Sequence, residues 1–340
     1  MVAPPPGYRD AAGPLRIVAI GGGTGLSTLL QGLKEYARQG LVDICAIVTV
    51  TDDGGSSGRL RREFDILPPG DIRNCMVALS EDETLLSQLF QYRFSSGKGL
   101  VGHSFGNLFL TALTHVTGDF PRAVKVSSEV LAICGRIYPS TSQNVGLRAI
   151  MLDGSIVEGE TKISKSRKRI ARLELTHKKV KPLRDAIEAI AAADLITLGP
   201  GSLYTSIIPN LLVDGMANAI RRSKAAKAYL CNLMWQPWET MTYSAFDHVN
   251  AIHAHGGNGT IQRVILNTTP LSGSQRRRYA AEKVYPVELD IPRIEELGLE
   301  IVGRPLLAKG PKVRHDPLAL ARIAVELAGE SRVSRNQKQR

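Results

Sequence analysis

The chain has 340 residues, a length that suits two domains or one large α/β domain with insertions. Hydrophobic residues make up 43% and charged residues 22%, which excludes a mostly disordered or fibrous chain. No run approaches eighteen apolar residues, so a membrane-spanning helix is excluded as well. The four cysteines, Cys45, Cys75, Cys134 and Cys231, form no CxxC pair and have no histidine at metal spacing. Cys45 and Cys231 sit in apolar, strand-like runs where a buried reduced thiol is expected, and the whole reads as a cytoplasmic soluble protein. The net charge is +11, and ten basic residues between Lys162 and Arg184, against Glu174 alone, hold most of it. No aromatic residue is interleaved with that block, so a base-stacking nucleic-acid platform is not expected; a solvated face or an acidic partner is.

Residues 1–14, with Pro4-Pro5-Pro6, read as a flexible leader that lacks a signal-peptide core. Residues 15–20 form an apolar run ending in Gly21-Gly22-Gly23-Thr24-Gly25, and Leu26, Leu29, Leu30 and Leu33 then repeat at helical spacing. Residues 42–50 predict a second buried strand, and 194–198, 226–233 and 263–267 predict three more. Strands alternating with helices predict an α/β fold, a doubly wound and mostly parallel sheet within one domain over residues 15–330. Residues 136–184 differ: short alternating segments at 145–151, 155–163 and 170–175 predict a β-rich basic insertion packed at one edge. The last helix is expected to open at Asp316-Pro317 and to end near Gly329, leaving 331–340 as a disordered basic tail. Ligands of such sheets bind beyond the carboxyl ends of the strands, so the loops after strands carry the functional question.

Four such loops stand out. In the first, Gly22, Gly23, Thr24 and Gly25 let backbone amides approach an anion at a helix N-terminus. Leu26 occupies the place of the last glycine of a dinucleotide fingerprint, and Asp43 begins rather than ends the second strand, so neither NAD nor flavin is expected. Ser96-Gly97-Lys98-Gly99 likewise lacks the hydroxyl residue of a Walker A loop. The second loop is Asp52-Asp53-Gly54-Gly55-Ser56-Ser57. Two adjacent carboxylates are unfavourable unless something positive sits there, which points to hydrated Mg²⁺ bridging to a diphosphate. Alternatively, one aspartate caps the next helix and the other faces solvent.

The third loop is Pro68-Pro69-Gly70-Asp71-Ile72-Arg73-Asn74. Here Asp71 is expected to cap the following helix, while Arg73 and Asn74 in its first turn suit an anion or a base edge. Further on, His103, Ser104 and Asn107 open another helix, with Ser104 and Asn107 one turn apart. The fourth loop, Gly199-Pro200-Gly201-Ser202-Leu203-Tyr204-Thr205-Ser206, offers amides and the hydroxyls of Ser202, Thr205 and Ser206 to phosphate oxygens.

Taken in this order with Asn232-Leu233-Met234 and Arg314-His315-Asp316-Pro317, the four loops resemble the YvcK/CofD-like family, and within it the YvcK branch of gluconeogenesis factors. The similarity runs from about residue 16 to about residue 327. It implies a Rossmann-like fold with a deep cleft at the strand ends. It also implies a UDP-sugar ligand, UDP-N-acetylglucosamine among them, and a role in cell shape and cell-wall precursor control during gluconeogenic growth. The CofD branch instead binds a guanine-nucleotide-linked phospholactate with a divalent metal and passes it to a deazaflavin alcohol. Asn232, Tyr279 and Arg314 join the expected nucleotide site through the resemblance: the ring to stack on base or sugar, the guanidinium to hold phosphate. The chain departs from the family at Trp235-Gln236-Pro237-Trp238-Glu239-Thr240-Met241-Thr242, where two tryptophans and a methionine replace small or acidic residues. This departure implies a narrower cleft edge, or a covered partner or dimer surface.

Two functions remain open at this point. One is a nucleotide-sugar-binding regulator with slow or no chemistry, a homo-oligomer with a protein partner in the cell-wall pathway. The other is a Mg²⁺-dependent transferase of a phospholactyl-type group. A transferase needs a base for its acceptor hydroxyl, and His103 is the candidate.

Overall fold

The computed structural model describes residues 13–80 and 85–338. The first elements are β1 (Leu15–Gly21), α1 (Gly23–Ala37) and β2 (Val42–Val48). Five helices follow, α2 (Gly55–Phe64), α3 (Gly70–Leu79), α4 (Leu85–Gln91), α5 (Phe105–Thr117) and α6 (Phe120–Val130), before β3 (Arg136–Pro139). The insertion consists of β4 (Leu147–Met151), β5 (Ile156–Glu158), α7 (Glu160–Lys165) and β6 (Ile170–Leu175). Next come α8 (Arg184–Ala192), β7 (Leu195–Leu198), a π-helical turn over Leu203–Ile207 that runs into α9 (Ile208–Leu212), and α10 (Met216–Arg222). The chain closes with β8 (Ala226–Leu230), α11 (Ala245–Gly256), β9 (Arg263–Asn267), α12 (Gly273–Ala281), α13 (Ile291–Glu296), β10 (Glu300–Arg304) and α14 (Pro317–Lys338).

The seven strands of the main sheet run in the order β10-β9-β8-β7-β1-β2-β3, and every pairing is parallel. From β1 the chain winds outward through β2 and β3, then returns to lay β7 on the other side of β1. The order therefore reverses between β1 and β7, and a crevice opens beyond the carboxyl ends of those two strands. This is the α/β, doubly wound architecture expected from the strand–helix alternation.

Because side chains alternate along a strand, β1 feeds two cores. Ile17 and Ala19 pack with Leu26, Leu29 and Leu33 of α1 and with Leu320 and Ala324 of α14. Val18 and Ile20 face the other side, where Leu147, Ala149, Met151 and Leu173 of the small antiparallel sheet join the same core. The insertion thus covers a face of the main sheet rather than extending an edge. It is also shorter than residues 136–184, because β3 (Arg136–Pro139) pairs with β2 and belongs to the main sheet. The expected strand over 226–233 stops at Leu230, and Asn232, Leu233 and Met234 line the crevice. Cys45, Cys75 and Cys231 are buried free thiols, and burial pushes Cys45 and Cys231 each up to about 12.

The C-terminus differs from expectation. Helix α14 does not stop at Gly329 but continues to Lys338, so most of the expected disordered tail is helical; residues 339 and 340 lie outside the described residues. The reason is a buried acceptor. Asp194, 1% exposed just before β7, takes hydrogen bonds from Arg332 and Arg335 and, at 2.8 Å, from the backbone N–H of Arg16. Three elements are joined at that carboxylate. The proposed leader, residues 1–14, falls largely outside the described residues. Among the described residues no helix is long and apolar enough to cross a membrane.

Candidate functional site: a crevice between two glycine-rich loops

The loops after β1 and β7 meet across the reversal point. Helix α1 starts on Gly22, which brings no side-chain cap; Asp71 takes the Gly23 N–H, and the amides after it are left for another acceptor. Gly25 is required by proximity: a Cβ there would lie 2.3 Å from the carbonyl oxygen of Pro200. The two loops border a cavity of about 320 Å³ that also takes in Asn232, Gln236 and Arg314. Gly22, Gly23, Thr24, Gly25, Pro200, Gly201, Ser202 and Ser206 all line it, as their positions after strands predicted. Gly199 supplies the turn behind them, at φ +81°.

Thr205 does not reach the cavity lining. Its N–H and hydroxyl, and the N–H of Tyr204 at 2.8 Å, are taken by the buried carboxylate of Glu239, which burial pushes up to about 7. Gln236 is the residue in this neighbourhood that sequence reasoning left without a role. Its Nε2 donates to Ser202 Oγ at 2.5 Å, and its Oε1 accepts from Asn232 Nδ2 at 3.3 Å, so it ties the β7 and β8 loops together.

The adjacent pair Asp52 and Asp53 is divided by the fold. Asp53 Oδ1 accepts from Thr161 N at 2.8 Å and Thr161 Oγ1 at 2.6 Å, at the start of α7 in the insertion. Its Oδ1 holds the start of α7, and with it the insertion, to the loop after β2. Asp52 closes its own turn by accepting from Gly54 N at 2.8 Å. A Cβ on Gly70 would lie 3.3 Å from Asp52 Oδ2, so this acid abuts the start of α3. Asp71 sits there, and it is not the cap of α3; its carboxylate accepts the backbone N–H of Gly23. Burial first, and then the charge of Asp52, pushes Asp71 up to about 7. Burial also raises Asp52, and Glu160 of α7 is pushed up to about 9 by burial and by Asp52, Asp71 and Asp53.

Among the described residues no three His, Cys, Asp or Glu side chains converge to hold a metal ion. Two neighbouring carboxylates, one of which pushes the other's pKa up, do fit the ordinary Mg²⁺ donor set, one or two carboxylates completed by water and phosphate oxygens. Those two are Asp52 and Asp71.

Ser56, Ser57, His103, Ser104 and Asn107 are brought together where α2 and α5 begin. His103 Nδ1 lies 2.9 Å from Ser56 Oγ, and Asn107 Nδ2 donates to Ser56 Oγ at 3.1 Å and Ser57 Oγ at 3.4 Å. Burial lowers the His103 pKa, which favours the neutral ring. His103 lines neither the glycine cavity nor the chamber beside it. Arg73 connects this network to that chamber, donating to Ser104 Oγ at 2.5 Å and Asn74 Oδ1 at 2.6 Å. The chamber measures about 580 Å³; Arg73 and Asn74 line it, and it shares Thr24, Thr28 and Arg314 with the glycine cavity.

Arg314 therefore sits where the two spaces join. Tyr279 does not line either of them. Its hydroxyl, on α12, accepts the backbone N–H of Val313 at 3.0 Å, so it steadies the segment that carries Arg314 instead of offering a stacking face. His315, on the other side, lines the glycine cavity with a buried Nε2 that has no partner, and burial lowers its pKa to about 4. The two tryptophans do not narrow the crevice. Trp235 packs edge-on against Tyr285, and Trp238, 40% exposed, lies under the guanidinium of Arg167 from the basic insertion. A spacing signal for the missed lining did exist: Thr24, Thr28 and Gln31 form a polar stripe on α1 opposite its leucines.

The family described as 2-phospho-L-lactate transferase CofD matches residues 17–307. A protein named gluconeogenesis factor from Halalkalibacterium halodurans is 48% identical over 319 residues, which covers 94% of this chain and 97% of the relative. The gluconeogenesis factor of Bacillus subtilis is 47% identical over 316 residues, 93% of this chain and 98% of its own. A crystal structure of a UPF0052 family member from Bacillus halodurans matches with a TM-score of 0.88 at 47% identity, covering 92% of this chain and 99% of that one.

Proposed function

The chain belongs to the CofD-like family, alongside the gluconeogenesis factors, and on that footing we propose that it is a cytoplasmic regulator that binds a UDP-sugar. One observation carries the reading: two glycine-rich loops flank the reversal point of the sheet and leave the α1 amides beyond Gly23, hydroxyls and Arg314 around one cavity. Uncapped amides at a helix N-terminus favour a phosphate group, and a guanidinium can hold a second one through paired hydrogen bonds. The amides of Asn232 and Gln236 offer donors and acceptors to a uracil edge or to sugar hydroxyls. Asp52 and Asp71 would hold Mg²⁺ against the diphosphate, where the ion would offset the charge of both carboxylates and phosphates. UDP-N-acetylglucosamine, control of cell shape and cell-wall precursors during gluconeogenic growth, self-association and a protein partner in that pathway belong to the same proposal.

Calorimetry with UDP-N-acetylglucosamine, GDP and NAD, each with and without Mg²⁺, tests it. Saturable binding of the UDP-sugar in preference to GDP and NAD is expected. Binding of GDP alone would favour the transferase branch and refute the reading.

A second reading, a transferase of a phospholactyl-type group, draws support from Asp71. A carboxylate pushed up to about 7 beside Gly23 is able to take a proton from an acceptor hydroxyl near neutral pH. Release of free nucleotide from a nucleoside-diphosphate donor, lost in Asp71→Asn, is the outcome this reading requires.

A further inference from the structure

We propose that the chamber beside the glycine cavity is a second ligand site, one that takes a sugar phosphate as a separate ligand. The chamber lies between α1, α3 and α4, and its 580 Å³ or so is ample for a small metabolite. Its lining is sharply uneven in charge. Lys34, Arg73, Arg93 and Arg314 all border it, and no carboxylate does among the described residues. Among the described residues none of the four forms an ion pair there either.

Arg73 gives the clearest sign of a missing anion. Its two terminal nitrogens are used by Ser104 and Asn74, but its buried Nε has no partner. Arg93 is near enough to act on it: the like charge, after burial, lowers the Arg73 pKa. The charges of Asp71 and Asp52 offset part of that repulsion, and a neutral uracil or hexose in this chamber would leave the rest. A phosphoryl dianion beside the two guanidinium groups would relieve the repulsion. The rest of the wall suits a hydroxylated body, because the amides of Gln31, Gln88 and Gln91 both donate and accept. Lys34, Arg73 and Arg93 belong to the chamber alone, whereas Thr24, Thr28 and Arg314 also border the nucleotide cavity.

Glucose 6-phosphate and glucose are the probes, titrated into the full chain by calorimetry with and without saturating UDP-N-acetylglucosamine. The phosphate ester is expected to bind, glucose to bind at least about tenfold more weakly, and the phosphate ester to bind still when the nucleotide sugar is present. Two variants confined to the chamber, Arg93→Ala and Gln88→Glu, are expected to weaken the phosphate ester about tenfold or more and to leave UDP-N-acetylglucosamine affinity unchanged. Gln88 is an exposed residue of α4, so its exchange keeps the test valid should Arg93→Ala fail to fold. Failure of the phosphate ester to bind, its complete displacement by the nucleotide sugar, or indifference to both variants would overturn the proposal. Binding of the phosphate ester to a chain that ignores UDP-sugars would sustain it and would count against the nucleotide reading alone.

Discussion

The carboxylate of Asp71 accepts the backbone N–H of Gly23, so helix α3 is tied to the loop from which α1 begins. The contact is close: a Cβ on Gly22 would stand 2.6 Å from Asp71 Oδ2. An acid at this position meets the loop that is open to an anion, which couples its charge to whatever the crevice holds.

That coupling gives a pH dependence with a definite sign. Asp71 titrates at about 7 in the folded chain, whereas an unfolded aspartate titrates near about 4. The folded state therefore holds the proton more tightly, and this contribution to stability is complete below pH ~4 and lost as pH rises through ~7. Asp71→Asn should raise unfolding free energy at pH 8 by about 1 kcal/mol or more, with the gain fading towards pH 4. Glu239, at about 7, and Glu160, at about 9, act in the same direction, so a residual slope is expected in the variant. Urea unfolding at the two pH values measures the difference; an equal effect at both would refute it.

Asp52 and Asp53 should separate by phenotype. Asp53→Ala removes the acceptor for Thr161 at the start of α7 and should cost about 1–2 kcal/mol, with or without Mg²⁺. Asp52→Asn should instead weaken UDP-sugar binding mainly when Mg²⁺ is present. Thermal melts and calorimetry on the same preparations distinguish the two, and a metal-dependent loss in Asp53→Ala would reverse the assignment.

Arg314 and Tyr279 should differ in degree. Arg314 borders both spaces, so Arg314→Ala is expected to lower UDP-sugar affinity at least about tenfold, roughly 1.4 kcal/mol. Tyr279→Phe removes only the hydroxyl that accepts from Val313, and a loss of a few-fold is expected. Were Tyr279→Phe to match Arg314→Ala, the hydroxyl would have to meet the ligand itself.

The C-terminal helix should be indispensable to the fold. Truncation after Glu330 removes Arg332 and Arg335 from the buried carboxylate of Asp194. Breaking such a cluster from one side leaves an uncompensated buried charge, and a loss of about 3 kcal/mol or more is expected in urea unfolding. Asp194→Asn combined with the truncation should recover part of that loss. No recovery would mean that helix packing, not the charge, carries the effect.

What the sequence alone determined was local. Apolar runs that end in glycine or proline clusters marked β1, β2, β7 and the loops after them, because strand burial and turn chemistry are written in neighbouring residues. Those loops converge as expected, since parallel strands bring their carboxyl ends to one side whatever the order of the chain. What only the tertiary structure decided was the partner of each charge. Asp52 and Asp53 are adjacent in sequence, yet Asp53 is claimed by Thr161, 108 positions away, while Asp52 opposes Asp71. Asp71 reads locally as a helix cap because nothing near it in sequence shows that Gly23 stands within its reach. Arg335 reads as part of a basic tail, and its acceptor Asp194 lies 141 positions earlier. A carboxylate or guanidinium is used where burial withholds water from it, and which groups lose water together depends on how the helices pack across the sheet.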